Sequence, residues 1–201
     1  SGSTGVPKGV AVSRLALASY LRAAIGEYAI TPRDRVLQFS SISFDISVEE
    51  IFPCLAAGGT LVLRTEAKAG SVSEFYRRCR AWSITGLFLP TAYWHELAAA
   101  AAAKPSLPPT LRVVCFGGEQ VQPRRVADWR LAMKRQEAMT TRLINSYGPT
   151  ETTVVATIKE LMTVGRLAGP GAAEDSSIGR PLSNARAYVF DDRLRPAPPR
   201  Q

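Results

Sequence analysis

The sequence holds a single histidine, His95, and three cysteines, Cys54, Cys79 and Cys115, far apart along 201 residues. So few sulfur and imidazole ligands exclude a Cys/His metal site, and an odd cysteine count excludes a disulfide framework. No 18-residue apolar stretch, signal peptide or lipidation motif is present, which argues against a membrane span and for a cytoplasmic protein. Basic residues are plentiful, with 25 Lys and Arg against 17 Asp and Glu and a net charge of +8. They are scattered rather than gathered into a tail or interleaved with aromatics, so no nucleic-acid partner and no membrane partner is expected. What remains is a chain that is 46% hydrophobic, enough for a sizeable core and too much for a disordered polymer.

The apolar residues arrange themselves as strand-like and helix-like segments in alternation. "GVAVS" (9–13) reads as a short buried strand, and Leu17, Tyr20, Leu21, Ala24, Ile25 and Tyr28 recur at helical spacing behind it. "RVLQFS" is a strand. "SVEEIFPCLAAGG" opens with Ser47 and Glu50 in capping-box spacing and closes at Gly58 and Gly59, which predicts a helix begun by Ser47. "TLVLR", "TGLFLP" and "LRVVCFGG" read as strands, with helices over Val72 to Trp82, Tyr93 to Ala103 and Pro123 to Ala138. "RLINSYG", "TTVVATI" and "ARAYVF" complete the strands. Strands separated by helices of this length predict an α/β fold with mainly parallel sheets flanked by helices, and ligands beyond the carboxyl ends of the strands.

The opening "SGSTGVPKGV" carries ingredients for binding phosphate. Gly2, Gly5 and Gly9 let a ligand approach the backbone, Ser1, Ser3 and Thr4 offer hydroxyls, and Lys8 adds a positive charge. It is no Walker A loop, because Pro7 precedes the lysine and Gly9 follows it. By itself the segment fits a phosphate loop and a flexible hydroxyl-rich turn equally.

Three segments in order, "SGSTGVPKGV", "FDISVEEIF" and "NSYGPTETT", with "FGGE" between the last two and "IGRPLSNARAYVFDD" after them, resemble the adenylation domains of nonribosomal peptide synthetases, in the adenylate-forming (AMP-binding) superfamily. The likeness runs over almost the whole chain and implies the central part of the large N-terminal subdomain. Residues 1–201 would then be a partial adenylation domain truncated at both ends, inactive by itself, within a polypeptide that also carries peptidyl carrier and condensation domains. The implied reaction joins an α-amino acid to ATP with Mg2+, giving aminoacyl-AMP and pyrophosphate. The aminoacyl group then passes to the phosphopantetheine thiol of the carrier.

Roles follow residue by residue from that resemblance. Ser1, Gly2, Ser3, Thr4, Gly5 and Lys8 would hold the departing phosphates, and Lys8, Thr150 and Glu151 would serve catalysis. Tyr147 offers an aromatic face for adenine and Asn145 an amide for polar edges, while Gly148 turns the chain at a strand end. Gly117, Gly118 and Glu119 would pass beside adenine and substrate. Thr150 would donate to the α-phosphate. Glu151 would give a hard oxygen to Mg2+, which needs few protein ligands because it keeps waters and phosphate oxygens.

Asp45 would bind the substrate ammonium group, and losing the partner of such a buried charge costs about 3–5 kcal/mol. This favours an α-amino acid over the acyl-CoA or aryl-CoA ligases of the same superfamily. A fold that binds ATP and substrate without turnover is the other alternative. Ile46, Glu49, Phe88, Val114, Phe116, Ser146, Val154 and Val155 would surround the substrate side chain. That wall is apolar except for Glu49, which fits a basic or hydrogen-bonding substrate such as ornithine, or merely a favourable charge in the first turn of a helix. His95 reads as a helix-surface or packing residue.

Overall fold

A computed structural model describes residues 9–64, 70–104, 106–136, 141–163, 166–167 and 177–197. The phosphate-loop residues Ser1, Gly2, Ser3, Thr4, Gly5 and Lys8 lie outside them. In chain order the elements are α1 (Arg14–Tyr28), β1 (Arg35–Gln38), α2 (Ile46–Ala56), β2 (Thr60–Leu63), α3 (Val72–Ala81), β3 (Gly86–Pro90) and α4 (Thr91–Ala103). Then come β4 (Val113–Gly117), α5 (Pro123–Arg135), β5 (Arg142–Tyr147), a 3-10 turn over Thr150–Thr152, β6 (Thr157–Thr163), β7 (Arg166–Leu167) and β8 (Arg180–Pro181).

The strands form one sheet in the order β2-β1-β3-β4-β5-β6-β7, with β8 also paired to β6. Pairing is parallel from β2 through β5 and antiparallel from β5 onward. Helices cover both faces of the parallel part, which explains why β3 and β4 are continuous apolar runs. Strand alternation then divides the core. Leu87, Leu89, Val114, Phe116 and Leu143 meet Phe75, Trp94, Leu97 and Trp129 from α3, α4 and α5. Phe88, Val113, Cys115 and Ile144 meet Tyr20, Ala24, Tyr28 and Cys54 from α1 and α2.

Two predicted strands are absent and a third begins late. Residues 9–13 are exposed and join no strand, and Ser13 instead caps α1 by accepting the Ala16 N–H at 3.1 Å. "TTVVATI" begins in the 3-10 turn and continues with Thr153 and Val154 at φ of 64° and 73°, a conformation no strand contains; β6 starts only at Thr157. "ARAYVF" leaves Tyr188, Val189 and Phe190 exposed, because β8 and β7 already occupy the edge of β6 that faces away from β5. The predicted capping box is also replaced. Asp45 takes the N-cap position of α2, Ser47 donates to the Phe44 carbonyl at 2.7 Å, and Glu50 turns to the chain after β1.

Candidate functional site

Each parallel strand ends on the same side, and the segments that leave those ends enclose a cleft of about 640 Å3. Phe39, Ser40 and Ser41 follow β1, Arg64 follows β2, and Pro90 and Thr91 join β3 to α4. Gly117, Gly118 and Glu119 close β4, while Ser146 and Gly148 end β5 and Val154 and Val155 complete the wall. The first turns of α2 bring in Asp45, Ile46 and Glu49, with Phe44 just before them.

Three carboxylates, at the N-cap and in the first turns of α2, shape this geometry. Glu50 is fully buried and accepts the backbone N–H of Ser40 at 2.9 Å and of Phe39 at 3.1 Å, so it ties the β1–α2 loop to the helix. Asp45 makes no capping bond to its own helix; it accepts the Thr150 hydroxyl at 2.5 Å and so joins the start of α2 to the turn after β5. Glu49 is only 2% exposed and takes hydrogen bonds from the Tyr28 hydroxyl and, at 3.6 Å, the Cys115 thiol. Burial pushes the Glu49 carboxyl up to about 7 despite these bonds, and burial does the same to Glu50 despite its amide partners.

The sequence-predicted residues divide into two groups. Asp45, Ile46, Glu49, Gly117, Gly118, Glu119, Ser146, Gly148, Val154 and Val155 converge on the cleft, and Thr150 joins them through Asp45. Phe88, Val114 and Phe116 do not line it. Phe88 packs edge-on against Tyr28, Phe116 stacks on Trp94 at 3.9 Å, and Val114 sits with Phe116 in the core under α4 and α5. Tyr147 stands half exposed at the end of β5, Asn145 is buried within that strand, and neither forms part of the cleft wall. His95 accepts the Gln122 N–H at 3.1 Å, a packing role.

Sequence reasoning missed Phe39, Phe44, Arg64 and Thr91 in the cleft, and the Tyr28 and Cys115 hydroxyl and thiol that meet Glu49. Phe39 and Arg64 had a signal, since each lies just beyond a strand's carboxyl end, where ligands sit in such sheets. In the structure the Arg64 guanidinium lies over the Phe39 ring at 4.7 Å. Tyr28 and Cys115 carried no local signal, because they reach Glu49 from two other elements.

Among the described residues no cluster of three or more His, Cys, Asp or Glu side chains could hold a metal alone. The exposed carboxylate of Glu151, beside Thr150, suits Mg2+ shared with phosphate oxygens, since that ion takes one or two protein carboxylates. Among the described residues no helix is long and apolar enough to cross a membrane.

The AMP-binding enzyme family matches residues 1–201. Isonitrile lipopeptide synthase of Streptomyces coeruleorubidus is 46% identical over 195 residues, which is 96% of this chain and 13% of the synthase. The crystal structure of the nonribosomal peptide synthetase FmoA3 is similar with a TM-score of 0.78 and 28% identity, over 94% of this chain and 19% of that one. The Vibrio cholerae adenylation domain AlmE, solved with glycyl-adenosine-5'-phosphate, gives a TM-score of 0.73 and 26% identity over 98% of this chain and 34% of AlmE. The chain thus spans a small part of its relatives' length and shares the fold of the aligned part. With its family matched from the first residue to the last, this chain belongs to the AMP-binding enzymes, among the adenylation domains of nonribosomal peptide synthetases.

Proposed function

We propose that this cleft activates an α-amino acid with ATP, as part of a cytoplasmic polypeptide in which residues 1–201 are one portion of an adenylation domain. The amino-acid carboxylate attacks the α-phosphorus of ATP, the bond to the β-phosphate oxygen breaks, and aminoacyl-AMP and pyrophosphate result. A phosphopantetheine thiol on a peptidyl carrier protein then displaces AMP from the acyl carbon, and condensation domains use the loaded residue. The observation that carries this reading is the 2.5 Å contact between Asp45 and Thr150. It brings the candidate ammonium acceptor beside the candidate donor to the α-phosphate, so the two reacting substrates meet at the mouth of one cleft.

The supporting roles follow from position. Asp45 receives the ammonium group, which displaces the Thr150 hydroxyl from it, and the freed hydroxyl turns to donate to an α-phosphate oxygen. Gly117, Gly118 and Glu119 border the space for nucleotide and substrate. Tyr147, exposed at a strand end, presents a ring on which adenine stacks, with Asn145 next but one before it. Glu151 is the residue that would hold Mg2+, which when bound neutralises phosphate charge. Ser1, Gly2, Ser3, Thr4, Gly5 and Lys8 are assigned to the departing phosphates from their sequence alone.

The test is ATP–pyrophosphate exchange in the parent polypeptide. Exchange is expected only with α-amino acids, and Asp45→Ala should lower it by about a hundred-fold or more, the equivalent of roughly 3 kcal/mol for an ammonium left without its partner. Glu151→Ala should weaken exchange with every substrate alike. Exchange driven by fatty or aryl acids lacking the amino group, or wild-type exchange in Asp45→Ala, would refute the reading.

A further inference from the structure

The floor of the cleft carries information on the substrate's side chain. Glu49 lies one helical turn beyond Asp45, roughly 6 Å further along α2 and on the same face. Both line the cleft, and the wall near them is apolar, formed by Ile46, Val154 and Val155. A substrate whose ammonium group rests on Asp45 therefore runs its side chain along aliphatic surface toward a carboxyl group.

That carboxyl group is incompletely used by the protein. Its Oε1 takes the hydrogen bonds of Tyr28 and Cys115, while no described residue donates to Oε2. No ion pair satisfies it either among the described residues. The groups around Glu49 are Tyr20 and Tyr28 on α1, Cys115 on β4, and Asp45 and Glu50 on its own helix; each is either neutral or acidic. Arg64, a cation in the cleft wall, lies over the Phe39 ring. A helix-dipole role would need only a solvated charge, whereas Glu49 is buried against two other elements.

Resting on the amino-acid-activating reading of the site, we infer that the substrate is an α-amino acid whose aliphatic side chain ends in an ammonium group, held by Oε2 of Glu49. An aliphatic residue without that group would leave a dehydrated oxygen unpaired at the floor. Burial holds the Glu49 carboxyl near 7, so around neutrality an arriving ammonium group takes the place of a proton.

Two measurements on the parent polypeptide test this. In exchange assays, ornithine and lysine are expected to exceed norvaline and norleucine in kcat/KM by roughly ten-fold to a hundred-fold. Glu49→Gln should collapse that ratio to within a few-fold. In calorimetric titrations at about pH 6, in buffers of different ionisation heat, ornithine should release close to one proton per site. Norvaline should release none, and Glu49→Gln should abolish the release with ornithine. A preference of the wild type for a neutral side chain, or an unchanged ratio in Glu49→Gln, would overturn the inference while leaving amino-acid activation standing. Exchange with acids that lack any α-amino group would instead overturn the reading of the site beneath it.

Discussion

Gly148 is the residue on which the cleft wall turns. A Cβ added there would lie 2.5 Å from the Val154 carbonyl oxygen and 2.7 Å from the Ala156 nitrogen, both backbone atoms that cannot step aside. Gly148→Ala is therefore expected to destabilise the chain by about 1–3 kcal/mol, as overpacking does, and to push Val154 and Val155 out of place. A urea denaturation midpoint equal to the wild type would contradict this. The sequence announced a turn here through Gly148 and Pro149, but the next residues misled. Thr152 to Val155 are all β-branched and favour a strand, yet Thr153 and Val154 adopt left-handed φ as the chain turns back so that the Ala156 N–H donates to the Tyr147 carbonyl at 2.8 Å. Strain of about 1–3 kcal/mol per residue is typical of such backbone at ligand walls. Ser47 was misread as the cap of α2 for a related reason. Local spacing favoured Ser47 as the cap, whereas Asp45 serves Thr150, a partner that no spacing rule can see.

At the scale of elements, the parallel strands were legible and their faces were not. Runs such as "GLFLP" and "VVCFG" are apolar at almost every position because helices cover both sides, so nothing in the text separates the residues of one face from those of the other. Phe88, Val114 and Phe116 were accordingly placed beside the substrate, whereas alternation directs them into the two cores. The amino ends of these strands are held by a different device. Asp34, only 3% exposed, accepts from Thr31, from Thr85 at the start of β3 at 2.7 Å, and from Arg112 at the start of β4 at 2.8 Å. Burial alone would raise its carboxyl, but the bonds from Arg112, Thr85 and Thr31 outweigh burial and hold it below the usual range. Asp34→Asn should destabilise by about 1–3 kcal/mol at pH 7, Arg112 being exposed enough to regain water. Since the folded pKa is depressed, this stabilisation exists above an unfolded value of about 3.9 and is lost as pH falls through the lower folded one. Denaturation of wild type and Asp34→Asn should therefore converge below about pH 4; a difference that persists undiminished there would refute the ion pair's role.

For the whole molecule, charge divides into a basic excess with structural uses and an acidic pair with an opposite pH signature. Composition read the excess as scattered; the structure spends part of it in pairs, Arg112 with Asp34, Arg142 with Glu160 and Arg180 with Glu27. Glu49 and Glu50 work the other way. Burial raises both to about 7, so the folded chain keeps protons that the unfolded chain has released. Their contribution is complete below about pH 4.5 and decays as pH rises toward 7, by a few kcal/mol in all. Urea denaturation at pH 5 and pH 8 should show the higher midpoint at pH 5, and Glu49→Gln should shrink the gap; a midpoint that rises with pH would refute both shifts. The bond between Thr150 and Asp45 has one more consequence, for the order of assembly. It joins positions 105 residues apart across the breadth of the parallel strands, so forming it closes a long loop against its entropy, and we expect it to follow the pairing of β1, β3, β4 and β5. The cleft is thus expected to be a late product of folding, with helical signal recovering in refolding before the site can take its substrates.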